Sequence, residues 1–425
     1  MPKAQEKHFS GFVSDVRKLK SMTFIILNTF EGYRQVTIKD ESASLDIKKT
    51  LDELTRQSCI EVWGDERDDP TRKGRKEIIP SRISIIAKAE TPLPLDPSGK
   101  TKADPETQLD WRSLHLREPG IRAIFQLQSK VLQGFQNYFL DNGFLQVFTP
   151  SLMGQPSESG SELFTVAYFK KEAFLRQDPQ LHRELAIVGG LDRIFEIGPS
   201  WRAELSHTTR HLTEHRTCAA EIAYIKDERD IIRLEEEMIA STFKFVKENC
   251  KEQLDLFGVD LQVPKTPFPV LEFPGIYDIL SEYNKKIPKG SDYDREGEEI
   301  LSRYVKEKYK SDIYFINKFP FDVKPFYVMR EEGTPWARSI DLEYKGVEMS
   351  SGGQREHRHD KLLEQIKEKK MDPSKLEWFT KFFRYGAPTM GGFSIGIERL
   401  TMQILNLENV RQAVLFPRDT ERLVP

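Results

Sequence analysis

The sequence predicts an α+β protein in which a small N-terminal β domain precedes a larger domain of strands and long helices. The first 90 residues hold short β-rich runs that are separated by turns or charged segments. Residues 91–97 contain three prolines, which favour extended chain over helix and indicate a linker. Residues 119–142 then carry apolar side chains at helical spacing, and Gly143 ends the pattern. The chain therefore changes at the linker from short β-rich runs to a region that begins with a long helix.

Length and composition narrow the class of protein. A chain of 425 residues is too long for one hydrophobic core, so we expect two or three domains. With 38% hydrophobic and 31% charged residues, and no apolar run of membrane-spanning length, we expect a soluble protein without a signal peptide or membrane segment. Three widely spaced cysteines favour a reducing, cytoplasmic compartment and no disulfide framework or zinc site. The net charge of −3 means that a nucleic-acid partner would need a local basic surface.

The N-terminal β runs fit an OB-type barrel, a scaffold that often binds single-stranded nucleic acid. The four runs, with a short amphipathic helix at 46–56 between them, are 24–27, 34–38, 59–63 and 83–87. Phe24 is either an aromatic platform for a base or a residue of the barrel core, and its own sequence context leaves both open. The basic segment 72–76 is likewise either a nucleic-acid contact or a solvated hairpin.

A polar pair follows an apolar run at 194–198, which is predicted as a buried strand. Arg202 and Glu204 are two residues apart on extended chain, so their side chains point to the same face. Arg202 offers a planar fork for a phosphate, and Glu204 offers an acceptor for an amino group. The alternative is a plain salt bridge.

Two segments near the C-terminus also carry residues that could bind a metal ion or a phosphate ligand. Asp341 and Glu348 could share a hard cation such as Mg²⁺, which binds carboxylates and phosphate oxygens. Residues 391–400 form a glycine-rich strand that passes into a helix, with Arg399 at the junction. Taken singly, the two acids could be a surface pair and the glycines an ordinary turn.

In chain order, three segments resemble the signature motifs of class II aminoacyl-tRNA synthetases. They are the helix and extended segment that end at Pro150, the segment 201–211, and Gly396-Ile397-Glu398-Arg399-Leu400. Within this class the sequence is similar to aspartyl-tRNA synthetases of the archaeal and eukaryotic cytosolic type. The segments that carry this closer resemblance are 177–181, 209–212, 346–357 and 415–419.

The resemblance implies a fold and an activity. The fold would be the class II antiparallel sheet flanked by helices, preceded by the OB-type barrel. The activity would be ATP-dependent ligation of L-aspartate to tRNA through an aspartyl-adenylate, in a homodimer. The implied domains are an anticodon-binding barrel at 1–90, a hinge at 91–118, and a catalytic domain at 119–425 with an insertion at about 251–330.

The resemblance also implies roles for single residues. Those assigned to ATP are Arg202, Glu204, Arg210, His211, Glu348 and Arg399, of which Arg202 and Arg399 are catalytic. Those assigned to Mg²⁺ are Asp341, Glu348 and Ser351. Those assigned to the amino acid are Glu158, Gln177 and Arg355, and we add Asp178 and Arg183, which differ from the family pattern but fall at pocket positions. Those assigned to an anticodon base are Phe24, Gln35 and Glu77. The reaction needs positioning and charge neutralisation rather than a protein nucleophile.

Several positions on the amino-acid side depart from the family pattern. They are Ser159, Asp178, Arg183, Ala219, Met390 and Ser394. The family usually has Asp at position 219, where it binds the substrate ammonium, and Gly at position 394. Either Asp178 restores the lost charge and aspartate remains the substrate, or the enzyme adenylates another carboxylic acid or uses another acceptor. A third alternative is a non-catalytic tRNA-binding paralogue, which the intact ATP residues disfavour. The sequence leaves open whether asparagine tRNA is charged along with aspartate tRNA.

Overall fold

The computed structural model describes residues 6–69, 76–155, 163–203, 205 and 208–425. Its packing divides the chain into two units, Met1–Arg122 with the terminal Pro425, and Ala123–Val424. Three residues discussed above, Glu158, Ser159 and Glu204, lie outside the described residues, as does most of the basic segment 72–76.

The N-terminal unit is a closed barrel of five strands in the order β1-β2-β3-β5-β4, which confirms the predicted OB-type barrel. The strands are β1 Lys7–Lys18, β2 Met22–Thr29, β3 Gly32–Lys39, β4 Cys59–Asp68 and β5 Lys76–Ala87. The helices of this unit are α1 Leu45–Glu53, α2 Pro105–Asp110 and α3 Arg112–His115. Ser44 caps α1 by accepting a hydrogen bond from the backbone N–H of Ile47. Side chains alternate along β2, so Ile25 and Leu27 fill the barrel core while Phe24 lies outside it.

The larger unit is built on an eight-stranded sheet in the order β12-β13-β14-β15-β16-β11-β10-β6. Its central strands are antiparallel, as expected, and only the β12–β13 and β10–β6 pairs are parallel. The strands of this sheet are β6 Leu145–Gln146, β10 Arg193–Trp201, β11 Glu214–Ala223, β12 Val270–Glu272, β13 Ile313–Asn317, β14 Ser339–Tyr344, β15 Glu348–Arg355 and β16 Met390–Gly396. A small sheet is formed by β7 Leu152–Met153, β8 Thr165–Tyr168 and β9 Lys171–Leu175.

Two long helices pack together on this unit. The helices that follow the barrel unit are α4 Pro119–Asp141, α5 Gln180–Val188, α6 Glu228–Asn249, α7 Lys251–Leu256, α8 Gly275–Glu282, α9 Arg295–Tyr309, α10 His359–Glu368, α11 Glu377–Thr380 and α12 Ile397–Leu405. Gly134 of α4 lies against Thr242 of α6, and a Cβ at Gly134 would lie only 2.9 Å from the Thr242 methyl carbon. The Phe139 ring stacks on Phe195 of β10 with centroids 4.9 Å apart. Much of the apolar face predicted for 119–142 is therefore covered by the domain's own core.

The segment at about 251–330, which is expected to be an insertion, contributes to the main sheet of the larger unit. It supplies β12 and β13 to the eight-stranded sheet, and every residue of β13 is buried. It also supplies Lys324 to the cavity described below. Prolines and acids dominate its sequence, so the two short strands were not apparent.

Across the described parts of the chain, none of the helices combines the length and the apolar character needed to cross a membrane.

Candidate active site

The sheet register places several predicted site residues on one face. Directly paired residues of neighbouring strands point to the same side of a sheet. Asp341 of β14 pairs with Ser351 of β15, Ser351 with Ser394 of β16, Ser394 with Ala219 of β11, and Ala219 with Glu196 of β10. One row of side chains thus crosses five strands, from the predicted metal ligands to the predicted amino-acid pocket.

A cavity of about 500 Å³ lies over this face. The predicted site residues that line it are Gln177, Asp178, Arg202, Arg210, His211, Glu348, Ser351, Arg355 and Arg399. Two more lie behind its wall, because Asp341 pairs with Ser351 and Arg183 hydrogen-bonds Asp178. The structure therefore brings together residues that are up to about two hundred positions apart in the chain. We call the part lined by Arg202, Arg210, His211, Glu348 and Arg399 the exposed end, and the part formed by Gln177, Asp178, Arg183 and Arg355 the buried end.

At the exposed end, Arg202 and Arg399 converge on His215. Burial and, after it, the positive charges of the two arginines together lower the pKa of His215 to about 3. The imidazole is therefore neutral at physiological pH. Arg399 donates a hydrogen bond to the Glu348 carbonyl at 3.2 Å, and its guanidinium lies 3.5 Å from the Glu348 carboxylate. Two arginines that line one cavity and both act on His215 are suited to a polyanionic ligand.

The loop after β10 is fixed at several points. Arg210 donates to the Glu298 carboxylate at 3.0 Å, and the His211 ring nitrogen Nδ1 lies 2.6 Å from the Thr208 hydroxyl. The Thr209 carbonyl accepts a hydrogen bond from the Val410 backbone N–H at 2.9 Å. These contacts hold the side chains of Arg210 and His211 at the cavity.

The predicted metal ligands meet beside this end. Asp341 is buried; its Oδ2 accepts a hydrogen bond from Lys324 Nζ at 2.6 Å, while its Oδ1 has no partner among the described residues. Burial raises the pKa of Asp341, Lys324 opposes this rise and the negative charge of Glu348 adds to it, so that the pKa is about 6. Within the described ranges no cluster of three or more acids, histidines or cysteines forms a metal cage. Two carboxylates and a hydroxyl nevertheless suit Mg²⁺, which usually completes its shell with phosphate oxygens and water.

At the buried end, two guanidinium groups share one acceptor. Arg183 and Arg355 both donate to Gln180 Oε1, at 2.9 and 3.3 Å. Arg355 also donates from Nε to Glu221 Oε1 at 2.7 Å. Burial opposes the charge of Arg355, but the Glu221 carboxylate outweighs it and raises the pKa of the guanidinium. Two cations around one neutral oxygen form a strong site for a carboxylate.

Arg183 has its own carboxylate partners. Its Nη2 donates to Asp178 Oδ1 at 2.5 Å, and its Nη1 lies 3.7 Å from Glu196 Oε2. Burial opposes the charge of Arg183, whereas Asp178, Glu221 and Glu196 raise its pKa. The Asp178–Arg183 ion pair thus joins two of the positions that depart from the family pattern.

Three polar atoms that are buried at residues lining the cavity have no hydrogen-bond partner within the described chain. They are Gln177 Oε1, Ser200 Oγ and Ser394 Oγ. Buried polar atoms are normally satisfied, so orphaned ones beside a cavity indicate a missing ligand or water.

Sequence reasoning missed the supporting residues. Lys324 lies in the supposed insertion, where nothing in the local sequence distinguishes it. Glu184 lies under the buried end, where its Oε1 accepts from Gln180 Nε2 at 3.0 Å. Burial raises the pKa of Glu184 to about 8. In the sequence, the only indication that Glu184 supports the site was its position in a polar stretch with Gln180.

The barrel carries a second cavity, of about 1240 Å³. Phe24 and Gln35 line it together with the basic side chains of Lys7, Arg17, Arg34 and Lys76. Phe24 lies outside the core, so the core interpretation of Phe24 is wrong. Glu77 pairs with Gln35 but is buried, and its Oε1 accepts from Arg67 Nε at 3.1 Å.

Comparison with known proteins connects this geometry to a family. Residues 104–420 match the family described as tRNA synthetases class II (D, K and N). An aspartate–tRNA(Asp) ligase of Pyrococcus horikoshii is 43% identical over 417 residues, which cover 98% of this chain and 95% of the relative. An aspartate–tRNA(Asp/Asn) ligase of Aeropyrum pernix is 39% identical, covering 98% of this chain and 94% of the relative.

Solved structures of aminoacyl-tRNA synthetases have a similar fold over nearly the whole chain. The crystal structure of asparaginyl-tRNA synthetase from Pyrococcus horikoshii complexed with asparaginyl-adenylate has a TM-score of 0.92 at 30% identity, covering 99% of this chain and 96% of that one. Aspartyl-tRNA synthetase from Entamoeba histolytica has a TM-score of 0.86 at 26% identity, covering 99% and 90%. The likeness includes the N-terminal barrel.

Proposed function

Because the chain belongs to the class II aminoacyl-tRNA synthetases, we propose that it joins L-aspartate to tRNA at the expense of ATP, through an aspartyl-adenylate. The single observation that supports this best is the cavity itself, with two buried guanidinium groups at one end and two arginines suited to phosphates at the other. A dicarboxylic amino acid and a nucleoside triphosphate are the ligands that such a charge arrangement fits. The relatives confirm the predicted family and enzyme, whereas the roles of single residues that follow are proposals.

At the exposed end, Arg202 neutralises the α-phosphate of ATP, and Arg399 stacks on adenine or binds the γ-phosphate. The aspartate α-carboxylate attacks the α-phosphorus in line; a carboxyl oxygen–phosphorus bond forms and the bond to the bridging oxygen breaks, so that pyrophosphate leaves. Fixed guanidinium groups stabilise the charge that grows on the phosphoryl oxygens. Arg210 and His211 hold the outer phosphates, and neutral His215 leaves both arginines available to the anion. When bound by Asp341, Glu348 and Ser351, Mg²⁺ would supply further neutralisation of the phosphates.

At the buried end, Arg355 and Arg183 bind the side-chain carboxylate of aspartate. Their shared contact with the Gln180 oxygen shows how near the two guanidinium groups lie to one acceptor. Asp178 and Gln177 face the ammonium group, since Asp178 carries a carboxylate and Gln177 Oε1 is an acceptor without a described partner. Holding both reacting molecules in place supplies a large part of the rate acceleration.

We assign the barrel to the anticodon of tRNA. Phe24 stacks on a base beside Gln35, whose strand neighbour Glu77 is buried. The basic side chains of the barrel cavity, which is also lined by Glu31, Glu66 and Asp69, meet the phosphates. The relatives differ here, because some charge tRNA(Asp) by name and others tRNA(Asp/Asn). We propose that aspartate tRNA is the substrate, and charging of asparagine tRNA is measured beside it.

A cytoplasmic homodimer is part of the proposal. Strand β6 is the last strand of the large sheet, and among the described strands it pairs only with β10. Leu145 of β6 and the nearby Leu140 and Phe148 are exposed, Phe148 by 81%. A second copy of the chain would cover these apolar side chains and the open edge. Sedimentation equilibrium tests this, and a monomer at micromolar concentration contradicts it.

ATP–pyrophosphate exchange with single acids tests the activity. We expect exchange with L-aspartate and little with asparagine, glutamate or succinate, and none when Mg²⁺ is chelated. Charging of labelled aspartate onto purified aspartate and asparagine tRNA tests the acceptor. Exchange with another acid alone would indicate a changed substrate. Exchange without charging would indicate another acceptor, and absence of exchange with every acid would indicate a non-catalytic paralogue.

A further inference from the structure

The centre of the row described above holds an unusual pair. Ser394 of β16 lies directly opposite Ala219 of β11 on one side and Ser351 of β15 on the other. Ser394 lines the cavity, and its hydroxyl oxygen is buried without a hydrogen-bond partner among the described residues. It therefore stands between the predicted metal ligands and the buried end, where the two substrates must meet.

The next pair along the same two strands shows the opposite arrangement. Glu221 of β11 faces Gly392 of β16, and a Cβ at Gly392 would lie 2.3 Å from Glu221 Oε2 and 2.0 Å from the Ala220 carbonyl oxygen. At that level β16 carries a glycine, because the Ala220 backbone and the Glu221 carboxylate together occupy the space that a side chain would need. At the level of Ser394, β16 carries the polar side chain and β11 carries only a methyl group.

The surroundings of Ala219 also disfavour an acid at that position. Ala219 lies opposite Glu196 and two residues from Glu221, on the same face as both. These carboxylates already have arginine partners, since Arg176 donates to Glu196 at 2.8 Å and Arg355 to Glu221 at 2.7 Å. Because both carboxylates are already neutralised by arginines, an acid at position 219 would be opposed chiefly by the Ser394 side chain, which lies directly opposite.

We propose that Ser394 and Ala219 form one specificity-determining pair, in which the Ser394 hydroxyl binds the α-amino group of the substrate from β16. This inference rests on the proposed function and adds a residue to it. A rotation about the Cα–Cβ bond brings the hydroxyl towards the cavity, where it accepts a hydrogen bond from the ammonium. Asp178 then supplies the negative charge. Ser394 and Asp178 together thus make the contacts with the ammonium group that Ala219 of β11 cannot make.

A double-mutant cycle tests the coupling, with A219D, S394G and A219D/S394G measured by aspartate-dependent ATP–pyrophosphate exchange. We expect A219D to lower kcat/KM for aspartate about 10-fold or more and S394G to lower it several-fold, with the double variant within about 3-fold of wild type, because residues in contact couple. KM for ATP should stay unchanged throughout. Independent, multiplicative effects would overturn the proposal, as would a harmless A219D.

S394A separates the hydroxyl from the volume of the side chain. Succinate lacks the amino group, so its inhibition constant against aspartate should stay the same in S394A while KM for aspartate rises several-fold. An equal change in both would mean a packing role and would overturn the amino-group contact. Thermal unfolding shows whether each variant is folded. If wild type shows no exchange with aspartate, the proposed function itself fails, and that outcome is distinct from both.

Discussion

The two ends of the active-site cavity bind charge in different ways. At the buried end, Arg183 and Arg355 are only 1% and 4% exposed, and each has a carboxylate partner within 2.7 Å. At the exposed end, the Arg399 side chain is 30% exposed and Arg202 lies in a loop at the surface of the sheet. The same residue type is thus part of the folded core at one end and a partly solvated ligand-binding group at the other.

This difference predicts which end contributes to folding. Removing one member of a buried, hydrogen-bonded ion pair leaves an uncompensated charge, whereas an exposed ion pair contributes little to stability. The buried end is therefore fixed before aspartate arrives. At the exposed end, we expect the arginines to contribute more to binding the phosphates than to folding. Mutations at the two ends should accordingly separate stability from activity.

The largest effect is expected for Arg355→Met. It leaves Glu221 buried without its partner, so we expect a loss of about 3–5 kcal/mol in the free energy of unfolding, together with the loss of aspartate-dependent exchange. Urea denaturation followed by tryptophan fluorescence measures the first quantity.

The matched control is the double variant Glu221→Met/Arg355→Met, which replaces both charges with apolar side chains. It should regain most of the stability and none of the activity. A single variant as stable as wild type would show that the buried end does not support the fold.

Arg399→Ala should affect activity alone. Loss of one charge-stabilising group is expected to lower kcat about 10²–10³-fold. The free energy of unfolding should change by less than about 1 kcal/mol, because the side chain is partly exposed. Arg295→Ala, at a more exposed helical position, serves as the control and should leave exchange unchanged. A destabilisation as large as that of Arg355→Met would remove the contrast between the ends.

Much of the exposed end could be predicted from the sequence. Arg202, Glu348 and Arg399 belong to short segments whose order along the chain resembles known motifs, and the structure places them at one cavity. Asp341, which was paired with Glu348 for its carboxylate, lies in the wall of that cavity. The supporting contacts could not be predicted, because they depend on sheet register. Nothing in the residues around Ser394 shows that Ala219 lies opposite to it.

The fold shows the same limit. The apolar run Phe24-Ile25-Ile26-Leu27 has no alternation, so the sequence alone could not place Phe24 inside or outside the barrel. The barrel closure decided the question. In the segment at about 251–330, short strands among prolines and acids gave too weak a pattern to be assigned to the main sheet.

Phe24→Leu extends the comparison to another partly exposed side chain that lines a cavity. We expect a higher KM for tRNA, by an amount that corresponds to about 1–3 kcal/mol of lost base stacking, and unchanged stability. Exchange without tRNA should not change. Phe30→Leu is the control, because Phe30 is 77% exposed and does not line the barrel cavity. Equal effects of both variants on KM would contradict the assignment of Phe24.

Glu184→Gln should leave the protein nearly unchanged at acid pH, and its effect appears only as pH dependence. Burial raises the pKa of Glu184 from 4.5 to about 8, so between these values the folded protein holds a proton that the unfolded chain has released. The stability contributed by this proton is fully present below about pH 4.5 and is lost as the pH rises through about 8. Glutamine cannot titrate, so the variant should resemble wild type at pH 5.5 and become the more stable protein at pH 8.5. Urea denaturation at both values measures the difference. Parallel pH profiles for the two proteins would mean that Glu184 is ionised in the fold and that the buried end is more hydrated than its contacts indicate.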